Sequence, residues 1–223
     1  MMHNLLLIYY CVNIKLGENM KKVIIISMVV ILFIILIPEH KYSNEDFTIK
    51  TYISSIDKDK DAMDDQTDIL NNAKKYVETK PKYKSKYYNT GYPNDGYGVC
   101  TDVVGFSLKE AGYDLMVLVN EDVKSHQERY SITTIDKNID FRRVNNLNVY
   151  FKYNSISLTL NPKEIAEWQG GDIVVFPKHI GIVSDKRNRK GINYVIHHAN
   201  PFQIWYEEDI LEKYEIIGHY RIS

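Results

Sequence analysis

Gly170-Gly171-Asp172-Ile173-Val174-Val175-Phe176, then Pro177-Lys178, then His179-Ile180-Gly181-Ile182-Val183 is the stretch that decides the fold of this chain. Two short apolar runs, Asp172–Phe176 and Ile180–Val183, are rich in β-branched residues and are set apart by turn chemistry, so both read as strands. Tyr194–His197, Gln203–Tyr206 and Ile216–Arg221 repeat the pattern downstream. Gly170-Gly171, Asp185–Gly191 and Asn200-Pro201 separate these runs. The short connections predict an antiparallel meander.

Upstream the period changes. Asp64–Thr79 carries Ile69, Leu70, Ala73, Tyr76 and Val77 at helical spacing, and Pro81 ends it. Tyr83–Gly98 has the Gly, Pro, Asn and Asp content of a loop. Cys100–Gly112 is a second helix, with Val103, Val104, Leu108 and Ala111 on its apolar side and Gly112 as a C-terminal cap. Leu147–Tyr153 is a shorter helix. Helices first and strands second predict an α+β domain, with N-terminal helices packed on a small antiparallel sheet.

The 223 residues divide before that domain begins. Val23–Ile37 is apolar apart from Ser27 and follows Lys21-Lys22, the layout of a signal sequence or short anchor. A bilayer span takes about 17–25 residues, so the run is short for one. No small-x-small cleavage site follows it, and export with an uncleaved anchor is the favoured expectation over clean cleavage. Met20 resembles the true start of such a signal, which would make 1–19 an over-extended beginning. Residues 1–38 are thus read as signal or anchor, 39–63 as a polar linker, and 64–223 as the folded domain. Within the linker, Asp57–Asp65 lacks the turn glycine and twelfth-position Glu of a calcium loop.

Charge excludes one class of partner. The chain carries 28 basic and 29 acidic residues. A net charge near zero offers nothing to a nucleic acid.

Cys100 is the candidate reactive group. The other cysteine, Cys11, lies before the apolar run, so an exported chain leaves Cys100 without a disulfide partner. As a first helical residue it faces unpaired backbone N–H groups, which favour the thiolate and lower its pKa. His179, at the mouth of a strand, is the candidate base. His197 or His198 on the next strand would orient it, since a cysteine nucleophile needs a base and the base needs a partner. Strand alternation lets only one of the two face His179. We take His197, with His198 as the alternative. The bland readings are a buried structural thiol, structural histidines, an Asp140-Arg142-Arg143 salt bridge in place of a carboxylate-binding group, and a first-turn dipole role for Asp102. Tyr92 is a weak candidate for the cleft, and Trp168 and Trp205 read as core or rim.

Gly171-Asp172-Ile173-Val174-Val175-Phe176, His179-Ile180-Gly181-Ile182-Val183 and Val195-Ile196-His197 resemble the catalytic half of the NlpC-type cell-wall peptidases, compact members of the papain-like superfamily. Tyr92-Pro93, Gly98-Val99-Cys100-Thr101-Asp102-Val103-Val104, Asn138 to Val144, and Gly218-His219-Tyr220-Arg221 add a closer resemblance to a bacterial family, domain of unknown function 1287. The chain departs from NlpC-type enzymes at the nucleophile, where Val99-Cys100-Thr101-Asp102 replaces Asp-Cys-Ser-Gly. The resemblance implies a papain-like fold, Cys100 as nucleophile, His179 as base, His197 as orienter and no cofactor. It implies an amide or peptide bond of peptidoglycan stem peptides as substrate. The expected protein is an extracytoplasmic monomer, secreted or held at the membrane by its N-terminal segment, with no nucleic-acid partner. A wall-binding module without catalysis, or an acyltransferase or amidase on another amide or lipid, remains open.

Overall fold

The computed structural model describes residues 17–36 and 41–222. The chain divides into two compact units, one N-terminal to Lys41 and the other from Lys41 onward. The first contains helix α1 (Glu18–Leu36), on which Val23, Ile25, Ile26 and Val29 are exposed. No helix among the described residues is long and apolar enough to cross a membrane. Residues 1–16, which hold most of the expected over-extended start, and Ile37, the last residue of the apolar run, lie outside the described residues.

The second unit is α+β. Helices α2 (Asp65–Glu78), α3 (Cys100–Glu110), α4 (Leu115–Ser125) and α5 (Val144–Asn154) precede most of the strands. Two short strands, β1 (Lys82–Tyr83) and β2 (Tyr97–Gly98), pair in parallel within the loop before α3. The main sheet holds β3 (Ile156–Ser157), β4 (Ile173–Phe176), β5 (His179–Arg187), β6 (Asn193–Ile196), β7 (Glu207–Glu208) and β8 (Gly218–Arg221). Its order is β3-β8-β4-β5-β6-β7, and every pairing is antiparallel.

The apolar run that decides the fold is continuous because the sheet is buried on both faces. Ile173, Val175, Ile180 and Ile182 turn toward the helices and join Ile69, Val104, Leu108 and Phe151. Val174, Phe176, Val183 and Val195 turn the other way and pack with Trp168, Ile192, Ile210 and Leu211. Each such side chain removed from water contributes about 1.5–3 kcal/mol. The register Phe176↔His179 closes the β4–β5 hairpin through Pro177-Lys178, which puts His179 at the start of the longest strand.

Several boundaries follow the sequence. Asp64 caps α2, its carboxylate accepting from Thr67 N–H. Gly112, at φ +85°, reverses the chain after α3 in a conformation that suits glycine. Helix α4 has no counterpart in the sequence reading, although Leu115, Val119 and Val123 are fully buried at helical spacing and Asp114 caps it. Two expectations are corrected. Gln203–Tyr206 is not a strand; the pairing moves on to Glu207–Glu208, opposite Ile196 and Val195, and Trp205 is exposed. Residues 41–63 are not a free linker. Tyr42 bridges antiparallel to Arg187, and Asn44 bonds both the Arg187 guanidinium at 2.7 Å and Gln169 at 3.0 Å.

Candidate active site

Cys100 is placed by the way α3 begins. Val99 is extended, and the Asp102 carboxylate reaches back to accept its N–H at 2.8 Å, one half of a capping box. Arg142 then grips both oxygens of Asp102, Nε at 2.7 Å and an Nη at 2.8 Å, and its other Nη donates to the Lys86 carbonyl. Both side chains are almost wholly buried. Asp102 and Arg142 therefore brace the helix start. Arg143, by contrast, is exposed, lies 3.9 Å from Asp140, and lines a cavity of about 590 Å³ with Lys178.

The half-buried Cys100 sulfur faces the backbone N–H groups of Ile180, Thr101 and Cys100 itself. These three dipoles favour a thiolate, as the helix start implies. Burial outweighs them and pushes the thiol up to about 11. The expected lowering is thus overturned: the thiol at rest is neutral.

Ile180 immediately follows His179, so the sulfur lies against the backbone of the candidate base. No hydrogen bond joins the sulfur to the His179 ring among the described residues. His179 Nε2 lies 2.9 Å from His197 Nδ1, with the rings edge to face. That contact occupies Nε2 and leaves Nδ1 as the other ring nitrogen of His179, whose ring stacks with Phe176. Burial, reinforced by the neighbouring His198, pushes His179 down to about 4. Burial together with His179 and His198 takes His197 down to about 3. Two neutral imidazoles at this separation share one proton, one donating and one accepting.

Alternation sends His198 to the opposite face from His197. Its ring stands edge-on to Tyr83 and Tyr206, with centroids 5.2 and 5.1 Å away, and its buried Nδ1 has no hydrogen-bond partner among the described residues. It lines a second cavity, of about 360 Å³, with Tyr83, Tyr97 and Gln203.

One member of the cluster was missed in the sequence. Glu208 Oε2 lies 3.1 Å from His197 Nε2, and Gln203 donates to the same carboxylate oxygen at 3.0 Å. A glutamate in a charged pair at a strand edge gives no local sign of a histidine partner.

Other singled-out residues serve the scaffold. Tyr92 is buried and donates to Asp114 at 2.9 Å. Trp168 stacks on His219 with centroids 3.6 Å apart. Asp172 is fully buried, paired with Arg221 at 2.7 Å and with His219 at 3.1 Å, and accepts from Gln66 and Gln169. The Gly-Asp and Gly-His-Tyr-Arg segments thus meet in one cluster, and the Cys100 and Arg142 segments meet in another. Among the described residues, the carboxylates close enough for one cation are Asp57, Asp59 and Asp61. They lie in an exposed turn that Asp57 closes by accepting from Lys60 and Ala62 N–H.

Comparison with known proteins gives no solved structure that matches. The chain is similar to Uncharacterized protein YijF of Escherichia coli (strain K12), 32% identical over 166 residues that span 69% of this chain and 80% of that one. The match takes in most of the folded unit. Residues 70–222, from the second turn of α2 to the end of β8, fit a single family model. That span includes Cys100, His179, His197 and both buried ion-pair clusters, and the chain belongs to the family described as Domain of unknown function (DUF1287).

Proposed function

We propose that this chain is a cysteine hydrolase of papain-like, NlpC-like type that cleaves an amide bond, with peptidoglycan stem peptides as its substrate. The observation that carries the reading is the sulfur of Cys100 cradled by three backbone N–H groups, one of them from Ile180, the residue that follows the His179 paired with His197. The apolar Val23–Ile37 run supports a place outside the cytoplasm, secreted or held at the membrane. We take the working unit to be a monomer that needs no cofactor.

The chemistry begins from a neutral thiol and a neutral imidazole. The sulfur attacks the carbonyl carbon as its proton passes to His179 Nδ1. The tetrahedral oxyanion is met by backbone N–H at the start of α3. His179 returns the proton to the leaving nitrogen as the C–N bond breaks, leaving a thioester. Water, deprotonated by the same imidazole, releases the acid and restores the thiol. His197 keeps the imidazole oriented throughout.

Incubating the full chain and a Cys100→Ala variant with purified peptidoglycan, with fragments read by mass spectrometry, tests the reading. New stem-peptide fragments from the wild type alone are expected. Identical fragment patterns sink it. A second reading, a wall-binding module without catalysis, is favoured by the neutral thiol. It gains support if both proteins sediment with peptidoglycan and neither cuts it.

A further inference from the structure

We propose that Glu208 is a positioning residue that sets the tautomer of His197 and, through it, that of His179, leaving His179 Nδ1 with the lone pair a base needs. The purpose rests on the cysteine–histidine reading above; the geometry stands without it.

The argument follows the protons along the chain of contacts. Glu208 Oε2 lies 3.1 Å from His197 Nε2. A carboxylate oxygen only accepts, so a bare ring nitrogen at that separation would set two lone pairs against each other. His197 therefore carries its proton on Nε2, and its Nδ1 is an acceptor. That Nδ1 is 2.9 Å from His179 Nε2, so His179 donates from Nε2. A neutral imidazole with its proton on Nε2 has a lone pair on Nδ1, the state a base needs.

Gln203 is the competitor. Its Nε2 is 3.5 Å from His197 Nε2 and, as the sole partner there, would reverse every proton in the chain. Its two hydrogens have nearer acceptors, the Trp205 carbonyl at 2.8 Å and Glu208 Oε2 at 3.0 Å. Gln203 Oε1 accepts from Ala199 N–H at 2.6 Å, which fixes which end of the amide faces the glutamate. Gln203 thus braces Glu208.

Glu208→Gln replaces the acceptor with a group that can donate to His197 Nε2. The full chain, labelled with ¹⁵N, is examined at pH 7 by long-range ¹H–¹⁵N spectra of its imidazoles. In the wild type, His179 and His197 are both expected with the proton on Nε2. In E208Q both are expected to move it to Nδ1, with the backbone spectrum otherwise unchanged. If His179 is the base, alkylation of Cys100 by iodoacetamide should slow by about 100-fold, the low end of what a positioned general base contributes. Glu208→Asp should recover part of that rate, which a merely structural role would not predict. Should E208Q fail to fold, Glu208→Ala serves, and loss of the single wild-type tautomer is expected. His179 keeping its proton on Nε2 in the variant, or carrying it on Nδ1 in the wild type, overturns the proposal. A wild type that leaves peptidoglycan intact sinks the hydrolase reading while leaving the tautomer result standing.

Discussion

Replacing Arg142 with Met should unfasten the helix that presents Cys100. The Met stem keeps most of the buried apolar contact and removes the charge. Asp102 would lose two charge-assisted bonds, at 2.7 and 2.8 Å, and keep only the Val99 N–H. Bonds to charged groups contribute about 1.5–3 kcal/mol each, so the pair accounts for about 3–6 kcal/mol. Breaking a buried ion pair from one side costs about 3–5 kcal/mol, which agrees. At ~4 kcal/mol, a domain of this size should melt about 8–16 °C lower. Thermal and urea unfolding of the full chain, followed by circular dichroism, measure it. The control is the double variant Asp102→Leu, Arg142→Met. It leaves no unpaired charge and should be the more stable of the two, short of wild type by about 1 kcal/mol for the lost cap. R142M within about 1 kcal/mol of wild type would refute the reasoning, as would a double variant less stable than the single.

Acid should weaken the fold through the histidine pair. His179 is held neutral down to about 4, whereas in the unfolded chain it titrates near 6.5. The unfolded state then binds more protons across that window, so stability falls as pH falls from about 6.5 to 4, by on the order of 3 kcal/mol. Urea midpoints at pH 7 and 4.5 should drop less for His179→Gln than for wild type; equal drops would count against a neutral His179. Gly181→Ala should disturb the site by another route. A Cβ there would lie 2.6 Å from Val195 Cγ1 and 3.2 Å from His197 Cβ, so β6 must move and His197 with it. Displacements near 1 Å cost about 100-fold in well-positioned chemistry. Peptidoglycan cleavage at the wild-type rate by G181A would show that His197 does not need its present place.

The helices and strands that could be read in advance are those whose signals are local. Helix α2 announced itself through its stripe and cap, and β4 and β5 through their apolar runs. The misreadings arose where distant partners decide. Tyr42 and Asn44 look like linker until Arg187, more than 140 positions away, supplies their bonds. Gln203–Tyr206 has strand composition, yet Glu207 and Glu208 make the pairing because Val195 and Ile196 stand opposite them. The thiol shows the same division. The helix start that favours its ionisation is visible at Cys100, whereas the burial that outweighs it comes from packing. Alternation along β6 separates His197 from His198, but the proton order of the cluster depends on Glu208, whose role only the folded sheet reveals.

The bridge between Tyr42 and Arg187 has a mechanical consequence. Strand β5 starts at His179 and ends at Arg187, nine residues that run about 26 Å along the sheet. At that far end the two backbones exchange hydrogen bonds of 2.9 and 2.7 Å, and the Arg187 guanidinium is clamped by Asn44 and the carbonyls of Ile165, Gly191 and Trp168. A pull entering the domain at Lys41 meets the partly exposed Lys41–Glu207 ion pair and then this clasp. The tension is taken up at one end of the strand, and the histidine at the other end is spared the strain.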